Sequence, residues 1–142
     1  MAAIVLSGKK LAGELQAQLQ QKCALITTKL GRAPKLAVVL VGEDPASQVY
    51  VAAKAKAAHR VGIETLDVKR PGDTSQAALI ATLDELNGMP NLDGILLQLP
   101  LPAELDEFSA ICRIRPELDV DGLHPLNQGL LMRGAVAHQS CT

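Results

Sequence analysis

Aromatic residues are almost absent from this 142-residue sequence, which contains one phenylalanine, one tyrosine and no tryptophan. Its apolar residues are aliphatic, and a composition of 48% hydrophobic and 20% charged residues is typical of a soluble globular protein. Aliphatic residues without aromatic ones favour an α/β core, in which buried strands are rich in branched side chains. The position of the single tyrosine, Tyr50, is therefore unusually informative.

The sequence also lacks runs of like charge: its net charge is −1, and it has no basic stripe of the kind that binds nucleic acid. No apolar stretch approaches the roughly 20 residues of a membrane span, and no basic region precedes the short apolar start, so we expect neither an anchor nor a signal peptide. Its three cysteines form no CxxC pair, which is typical of free thiols in a reducing compartment. We therefore expect a cytoplasmic protein that binds neither nucleic acid nor membranes.

Common cofactor signatures are missing as well. The nucleotide motifs GxGxxG and GxxxxGK(S/T) and the metal motif HExxH do not occur. The segment that begins at Asp119 cannot form a calcium loop of the EF-hand type, because glycine is needed where His124 stands and glutamate where Leu130 stands. The sequence predicts no metal site.

Hydrophobic periodicity and breaker residues predict alternating strands and helices along the chain. Capping residues support the helices, since Ser7, Asp44 and either Thr74 or Ser75 each precede a helical pattern. The predicted elements are a strand at 3–6, a helix at 8–30, a strand at 36–41, a helix from 45 to about 61, a strand at 63–68, a helix at 76–87, a strand at 94–99 and a helix at about 104–112.

This alternation is typical of a three-layer α/β/α domain with a mainly parallel sheet and right-handed crossovers. We expect one domain over residues 1–142, because no repeat, linker or low-complexity segment interrupts it. In such sheets, ligands bind beyond the carboxyl ends of the strands. That rule selects three loops for the functional site, at 42–47, 69–74 and 98–103.

The helix after Pro45 carries the first candidate residues. At about 100° per residue, Ser47, Tyr50 and Lys54 lie within roughly 60° of one another, whereas Lys56 points to the opposite side. The first turns of this helix border the expected crevice, so the tyrosine and lysine form a candidate site. From spacing alone, a solvated lysine beside a surface tyrosine is the simpler interpretation.

Polar residues later in the chain provide further candidates. Gln98 ends an otherwise apolar strand, and an unpaired buried amide would cost about 1–3 kcal/mol, so it either ties down a loop or holds a charged group. Pro100 follows closely and is compatible with either peptide isomer. Asp119, Asp121 and His124 lie together, where a carboxylate either binds an amino-substituted heterocycle or stabilises a turn.

Three segments together resemble the folate-domain signatures of the bifunctional methylenetetrahydrofolate dehydrogenase/cyclohydrolase family. They are VGEDPASQVYVAAKAKAAHRVGIE (41–64), DGILLQLPLP (93–102) and DVDGLHPLNQGLL (119–131). They occur in the family's order and at family-like separations, and the resemblance covers essentially the whole chain. Each motif is long and unusual in composition, so chance agreement does not explain all three.

The resemblance implies a role for each matching residue. Tyr50 corresponds to the family tyrosine that stacks on folate, and Lys54 to the essential lysine of the cyclohydrolase step. Gln98 corresponds to the glutamine that bonds to and tunes that lysine, and Asp121 to the aspartate that holds the pterin ring. Two further residues fall in the same pocket-forming motifs, namely Ser47 and Pro100.

The resemblance also implies reactions, a cofactor and partners. The family oxidises 5,10-methylenetetrahydrofolate to the 5,10-methenyl cation by hydride transfer to NADP or NAD, and water then opens the ring to give 10-formyltetrahydrofolate. A tetrahydrofolate substrate and no metal are expected, and a homodimer is expected for the full-length family. Desolvation and the cationic substrate would both favour the neutral amine of Lys54, which could then act as a base.

The sequence departs from the family pattern in places. Leu118 replaces a commonly basic residue and Leu123 a usual phenylalanine, and both changes are expected to reshape the pterin edge of the pocket. The final residues, QSCT, resemble the family's PCTP segment with Ser140 in place of the first proline. The family's C-terminal Rossmann domain, with its glycine-rich nucleotide motif, lies beyond that point. We therefore expect residues 1–142 to be the folate-binding catalytic domain and to transfer no hydride alone.

Three alternatives from other classes stay open. The chain could bind folate without catalysis, because half of the interdomain cleft is missing. It could be the substrate domain of another two-domain dehydrogenase, acting on shikimate or an amino acid, although the pairing of YxxxK with QLPLP and DVDG argues against this. It could also be a non-catalytic partner that offers an exposed face to a separate cofactor domain.

Overall fold

Helices and strands alternate through the computed structural model, which describes residues 7–139. The strand predicted at 3–6 lies outside the described residues. Within residues 7–139 the elements are α1 (Gly8–Leu30), β1 (Lys35–Val41), α2 (Pro45–Val61), β2 (Glu64–Arg70), α3 (Gln76–Asn87), β3 (Gly94–Leu97), α4 (Glu107–Arg113) and α5 (Pro125–Met132).

The three described strands form one parallel sheet in the order β2-β1-β3, which confirms the predicted parallel arrangement. The central strand β1 pairs with β2 along its whole length, ending with Val41 opposite Arg70. On its other side it pairs with β3 over four residues, ending with Val39 opposite Leu97. The carboxyl ends of all three strands therefore meet at one edge, where sheets of this kind bind ligands.

Helices cover both faces of the sheet, because successive side chains of β1 point to opposite sides. Val38 and Leu40 pack with Val51 of α2 on one face. On the other face, β1 and β3 pack against α3 and α4. That larger cluster contains the buried residues Ala37, Val39, Val41, Leu79, Leu83, Leu86, Leu92, Ile95, Leu97, Leu105, Ala110 and Ile114. The three-layer α/β/α architecture predicted from the sequence is confirmed.

The predicted capping residues accept backbone N–H groups at the starts of the helices. Ser7 caps α1, and the carboxylate of Asp44 accepts the N–H of Ser47 at 2.7 Å to cap α2. Ser75, rather than Thr74, caps α3. Thr74 instead donates its hydroxyl to a backbone carbonyl in the preceding turn at 2.6 Å. These bonds satisfy N–H groups that a helix leaves without partners in its first turn.

Two strands differ from their predicted extents. β2 continues to Arg70 instead of ending at residue 68, because the carbonyl of Arg70 still accepts the N–H of Gly42 at 2.9 Å. β3 ends at Leu97 instead of residue 99. The chain cannot continue the ladder there for long, since Pro100 has no N–H to donate.

Two helices also differ from the prediction. α4 begins at Glu107, about three residues later than predicted, because Asp106 is its cap and accepts the N–H of Ser109 at 3.1 Å. α5 is absent from the sequence prediction. It starts with Pro125 in its first turn, after His124, whose Nδ1 accepts the backbone N–H two residues further on at 3.1 Å.

Helix α1 is mostly exposed to solvent. Cys23 is buried, whereas Leu11, Leu15 and Leu19 on a neighbouring face are 56%, 47% and 46% exposed. In the part of the chain that the structure describes, neither α1 nor any other helix is both long and apolar enough to cross a membrane.

Candidate active site

Helix α2 carries three of the predicted site residues to the carboxyl edge of the sheet. It begins four residues after β1 ends, so its first turns lie beside that edge. Ser47 is buried against the sheet, whereas the ring of Tyr50 is 63% exposed and Lys54 is also exposed. We expected desolvation around Lys54, but its side chain is exposed. The described residues leave this side of α2 uncovered.

Gln98 lies directly after β3 and faces Lys54. Its Oε1 accepts a hydrogen bond from Lys54 Nζ at 3.2 Å, while its Nε2 donates to the carbonyl of Leu99 at 2.6 Å. Because the carbonyl can pair only with the NH₂ end of the amide, the oxygen end is left facing the lysine. Gln98 is 9% exposed, so a buried amide holds an exposed cation at the edge of the sheet.

Asp121 provides the negative charge of this site. Burial raises the pKa of its half-buried carboxyl group above the usual range; the positive charge of Lys54 opposes this rise, and the negative charge of Asp119 adds to it. Among the described residues, none donates a hydrogen bond to the carboxylate of Asp121. Lys54, Gln98 and Asp121 thus form a cation, a neutral amide and an anion that is free to accept hydrogen bonds.

The two neighbours that were grouped with Asp121 in the sequence have other partners. Asp119 is 3% exposed and accepts the N–H of His124 at 2.8 Å and the Nδ2 of Asn127 at 2.9 Å. The ring of His124 caps α5. Turn stabilisation therefore accounts for Asp119 and His124, whereas Asp121 alone remains open to a ligand. Sequence analysis missed Asn127, and the only local signal was its place in the segment that contains His124.

Ser47 and Pro100 lie near the lysine–amide pair without a hydrogen bond to it. The Ser47 backbone N–H, and then its hydroxyl, lower the pKa of Asp44, so this residue stabilises the start of α2. Pro100 is exposed, and the Leu99–Pro100 peptide bond is cis.

Tyr50 and Lys54 lie on an exposed part of α2. A cleft of about 580 Å³ lies elsewhere, at the amino ends of the strands, beside Lys35, His59 and Glu64. The lysine–amide pair and the carboxylate of Asp121 lie instead at the carboxyl edge. A ligand at this edge would touch α2, the segment after β3 and the loop that contains Asp121, and it would be open to solvent on its other side.

A metal ion and a dinucleotide each need a particular arrangement of protein groups. No group of three or more His, Cys, Asp or Glu side chains within residues 7–139 is placed to hold a metal ion. A dinucleotide needs a glycine-rich turn that exposes the N-terminus of a helix to its phosphates. The turn before α2 has the sequence GEDPAS, and the carboxylate of Asp44 already occupies that N-terminus. This turn does not fit a dinucleotide.

The fold and the site together define an α/β domain with polar side chains at the carboxyl edge of a parallel sheet. The chain belongs to the tetrahydrofolate dehydrogenase/cyclohydrolase family, whose catalytic-domain model matches residues 6–121. The family resemblance seen in the three sequence segments is thereby confirmed.

Relatives and solved structures agree with this assignment. The chain is 49% identical over 140 residues to the bifunctional protein FolD of Synechococcus sp. strain WH7803, covering 99% of this chain and 48% of that protein. The FolD enzyme of Campylobacter jejuni superposes with a TM-score of 0.95 at 38% identity, covering 99% of this chain and 50% of that one. The Trypanosoma brucei enzyme, solved with NADP and an inhibitor, gives 0.89 at 35% identity, covering 96% and 47%. The chain thus spans about half the length of these relatives.

Proposed function

We propose that this chain is the folate-binding half of an enzyme that oxidises 5,10-methylenetetrahydrofolate with NADP or NAD and hydrolyses the product to 10-formyltetrahydrofolate. The observation that supports this most directly is the 3.2 Å contact between Lys54 Nζ and Gln98 Oε1 beside the half-buried Asp121. Three polar groups with different charges converge where α/β sheets bind ligands. The names of the relatives supply the reaction class.

The extent and setting of the domain are part of the proposal. Residues 1–142 would form one folate-binding catalytic domain, and a separate domain would bind the dinucleotide, because the turn before α2 does not fit that cofactor. This division agrees with a chain that spans about half of its relatives. We also propose that the complete enzyme is a cytoplasmic homodimer, as the family resemblance implies.

Two side chains are proposed to hold the folate. The exposed ring of Tyr50 offers a flat apolar face on which an aromatic part of the substrate can stack. The carboxylate of Asp121 accepts hydrogen bonds from the amino and ring N–H groups of the pterin, and no protein donor in the described residues competes for it. Ser47 and Pro100 bound the same region. The pterin would then lie between Tyr50 and Asp121, with its reacting carbon close to Lys54.

Lys54 is proposed to move the protons of the hydrolytic step. Water adds to the methenyl carbon, forming a C–O bond and losing one proton; the hydroxyl group then loses its second proton as the C=O bond forms, the bond from that carbon to N5 breaks, and N5 takes up a proton. One proton is released overall. The cationic ring disfavours a second positive charge nearby, which favours Lys54 as the neutral amine that accepts the proton from water. Gln98 holds that amine through its fixed carbonyl oxygen without adding charge.

NADP or NAD supplies a hydride acceptor to the first reaction when it is bound to the complete enzyme. The turn before α2 does not fit it, so we propose that this chain's own contribution to that reaction is to bind and orient the folate.

Hydrolysis of 5,10-methenyltetrahydrofolate by the 142-residue chain, followed by absorbance against a buffer blank, tests the proposal. Lys54→Ala should reduce the rate to the blank, since proton transfer by a positioned group contributes about 10²–10⁴-fold. Lys56→Ala is the matched control, because Lys56 is exposed on the opposite side of the same helix. A rate above the blank that survives in Lys54→Ala would refute the role of Lys54.

A folate-binding module without catalysis is the second candidate function. The exposure of Lys54 and the open side of the site favour it, since excluding water and positioning the substrate normally need an enclosed cleft. Folate binding by the chain without hydrolysis above the blank would support this candidate. The family match leaves the substrate domain of a shikimate or amino-acid dehydrogenase without support.

A further inference from the structure

A buried chain of hydrogen bonds lies directly behind Asp121. The side-chain amide of Asn127, on α5, donates one hydrogen to the carbonyl of Pro116 at 2.9 Å and the other to the carboxylate of Asp119 at 2.9 Å. The same carboxylate oxygen accepts the backbone N–H of His124 at 2.8 Å. Asn127 and Asp119 are only 4% and 3% exposed. Neither side chain has a role in the proposed chemistry.

This network joins α5 to the side of β3 that faces away from β1. The segment that contains Asp119 runs beside β3, where the N–H of Ile95 donates to the carbonyl of Leu118 at 2.7 Å and Ile95 forms an isolated parallel bridge with Asp119. Asn127 binds the same segment through the side chain of Asp119. The amide thus connects the start of the loop, at Pro116, to the residue from which the chain turns towards the site.

Asp121 follows Asp119 by two residues in a tight turn. Gly122 adopts a φ of 66°, which favours glycine, and its N–H points to the carbonyl of Asp119 at 3.4 Å. The turn gives the Asp121 carboxylate no hydrogen bond of its own from the described residues. Its position therefore depends on how firmly Asp119 is held, and Asn127 supplies the side-chain bond that holds it.

We propose that Asn127 is a positioning residue that sets the affinity for the pterin ring by fixing Asp119 and, through it, the carboxylate of Asp121. The proposal rests on the proposed function, because it takes Asp121 as the group that binds the pterin. Asn127 acts only through Asp121. Its removal therefore weakens folate binding when Asp121 is present and has no effect on binding when the carboxylate is already gone.

The test uses the fluorescence of Tyr50, the only tyrosine in a chain without tryptophan, to follow binding of 5-formyltetrahydrofolate to the 142-residue chain. Free tyrosine corrects for light that the folate absorbs. Asn127→Ala should bind roughly tenfold more weakly, a coupling typical of residues in one hydrogen-bond network. Asn127→Ser keeps a hydroxyl donor and leaves a smaller void, so it should be intermediate; it also replaces the alanine variant if circular dichroism shows that variant to be unfolded.

The matched control is Asn87→Ala. Asn87 also ties two backbone segments, donating to the carbonyl of Arg113 at 2.7 Å and accepting the N–H of Arg115 at 2.9 Å, but it lies at the end of α3, outside the site. The Asn87→Ala variant should be less stable than the unaltered chain but should keep its affinity for the folate. Equal affinities for Asn127→Ala and Asn87→Ala would overturn the proposal.

A double-mutant cycle separates positioning from general damage. Asp121→Ala and the double variant Asp121→Ala/Asn127→Ala should bind the folate equally weakly, through Tyr50 and Lys54. A further loss in the double variant would show that Asn127 acts independently of Asp121, which overturns the proposal while leaving folate binding intact. Absence of binding by the unaltered chain would instead overturn the proposed function itself, and the positioning role with it.

Discussion

Gln98 serves the site because its amide has two different ends. Its NH₂ group is held by the carbonyl of Leu99, and its oxygen faces the amine of Lys54. A carboxylate of the same shape would face that carbonyl with a second acceptor, and it would add a negative charge next to a cationic substrate. A neutral amide therefore fixes the lysine and leaves Asp121 as the only carboxylate of the site that is free to bind a ligand.

Asp121 predicts a particular dependence of folate binding on pH. Burial raises the pKa of its carboxyl group, so the group begins to take up a proton at a higher pH than an ordinary aspartate, whose pKa is about 3.9. The ionised form accepts the pterin's hydrogen bonds. Affinity for 5-formyltetrahydrofolate, measured by Tyr50 fluorescence, should therefore fall as the pH is lowered from 7 through the raised pKa of this group.

The Asp121→Asn variant should bind the folate more weakly at pH 7 and lose this pH dependence over the same range. Asp67→Asn changes an exposed aspartate on β2 and should behave like the unaltered chain. A profile that is unchanged in Asp121→Asn would assign the pH dependence to another group, such as the folate itself.

Local sequence patterns were enough to select some candidate site residues, whereas contacts between residues distant in sequence could not be predicted. The shared face of Tyr50 and Lys54 follows from the period of the helix, and Gln98 was found because a polar residue interrupts an apolar strand. The network around Asp119 was not predictable in this way. It depends on Asn127 reaching back over eight residues from a helix that the sequence prediction lacks, and a buried aspartate in a DVDG turn looks the same in sequence as an exposed one.

At the scale of elements, the contact between β3 and the Asp121 loop depends on a glycine. A Cβ atom added to Gly94 would overlap Cγ1 of Val120 and press on Leu36, because the loop lies directly against the start of β3. Gly94→Ala should therefore destabilise the domain by about 1–3 kcal/mol, the usual cost of overpacking, as measured by urea unfolding. It should also weaken folate binding, since the loop that carries Asp121 must shift.

The double variant Gly94→Ala/Val120→Ala should recover most of the lost stability, because it removes the methyl group that is overlapped. Gly13→Ala is the control, since a Cβ there meets open space within α1. Equal stability of Gly94→Ala and Gly13→Ala would show that the loop is not packed against β3 in solution.

The helices that were predicted correctly have local sequence signals at their ends. The N-caps of α1, α2 and α3 are Ser7, Asp44 and Ser75. Two of these helices, α1 and α2, end at glycines in the left-handed conformation, Gly31 and Gly62. By contrast, α5 is short and contains Gly129, and its cap is a histidine. β2 was predicted too short because its final residue is defined by pairing with β1, which local pattern does not show.

For the whole molecule, the charge network predicts a loss of stability in acid. Hydrogen bonds lower the pKa of four aspartates: from Arg32 to Asp93, from Arg113 to Asp84, and at the caps from Ser47 to Asp44 and from Ser109 to Asp106. A group whose pKa is lower in the folded chain stabilises it above the unfolded value, about 3.9, and this contribution is lost as the pH falls through the folded value. Asp121, with a raised pKa, acts in the opposite direction.

The urea midpoint should therefore decrease between pH 6 and pH 3. Asp93→Asn should lower the midpoint at pH 6 and flatten the decrease, because Asp93 accepts two hydrogen bonds from Arg32 and one from the Lys35 N–H. Since Asp93 is partly exposed, we expect its removal to cost about 1 kcal/mol. A midpoint that rises in acid would contradict the assignment of these four groups.

The order of the strands also has a consequence for synthesis on the ribosome. Tyr50 and Lys54 belong to the unit β1-α2-β2, which is complete once Arg70 has emerged, whereas Gln98 and Asp121 follow later in the chain. Since chains begin to fold from their N-terminus during synthesis, the lysine would be in place before its amide and carboxylate partners are translated. In a nascent chain stalled before residue 94, α2 would be folded while Lys54 still lacks Gln98 as its partner. The site would then be assembled only when translation of its second half is finished.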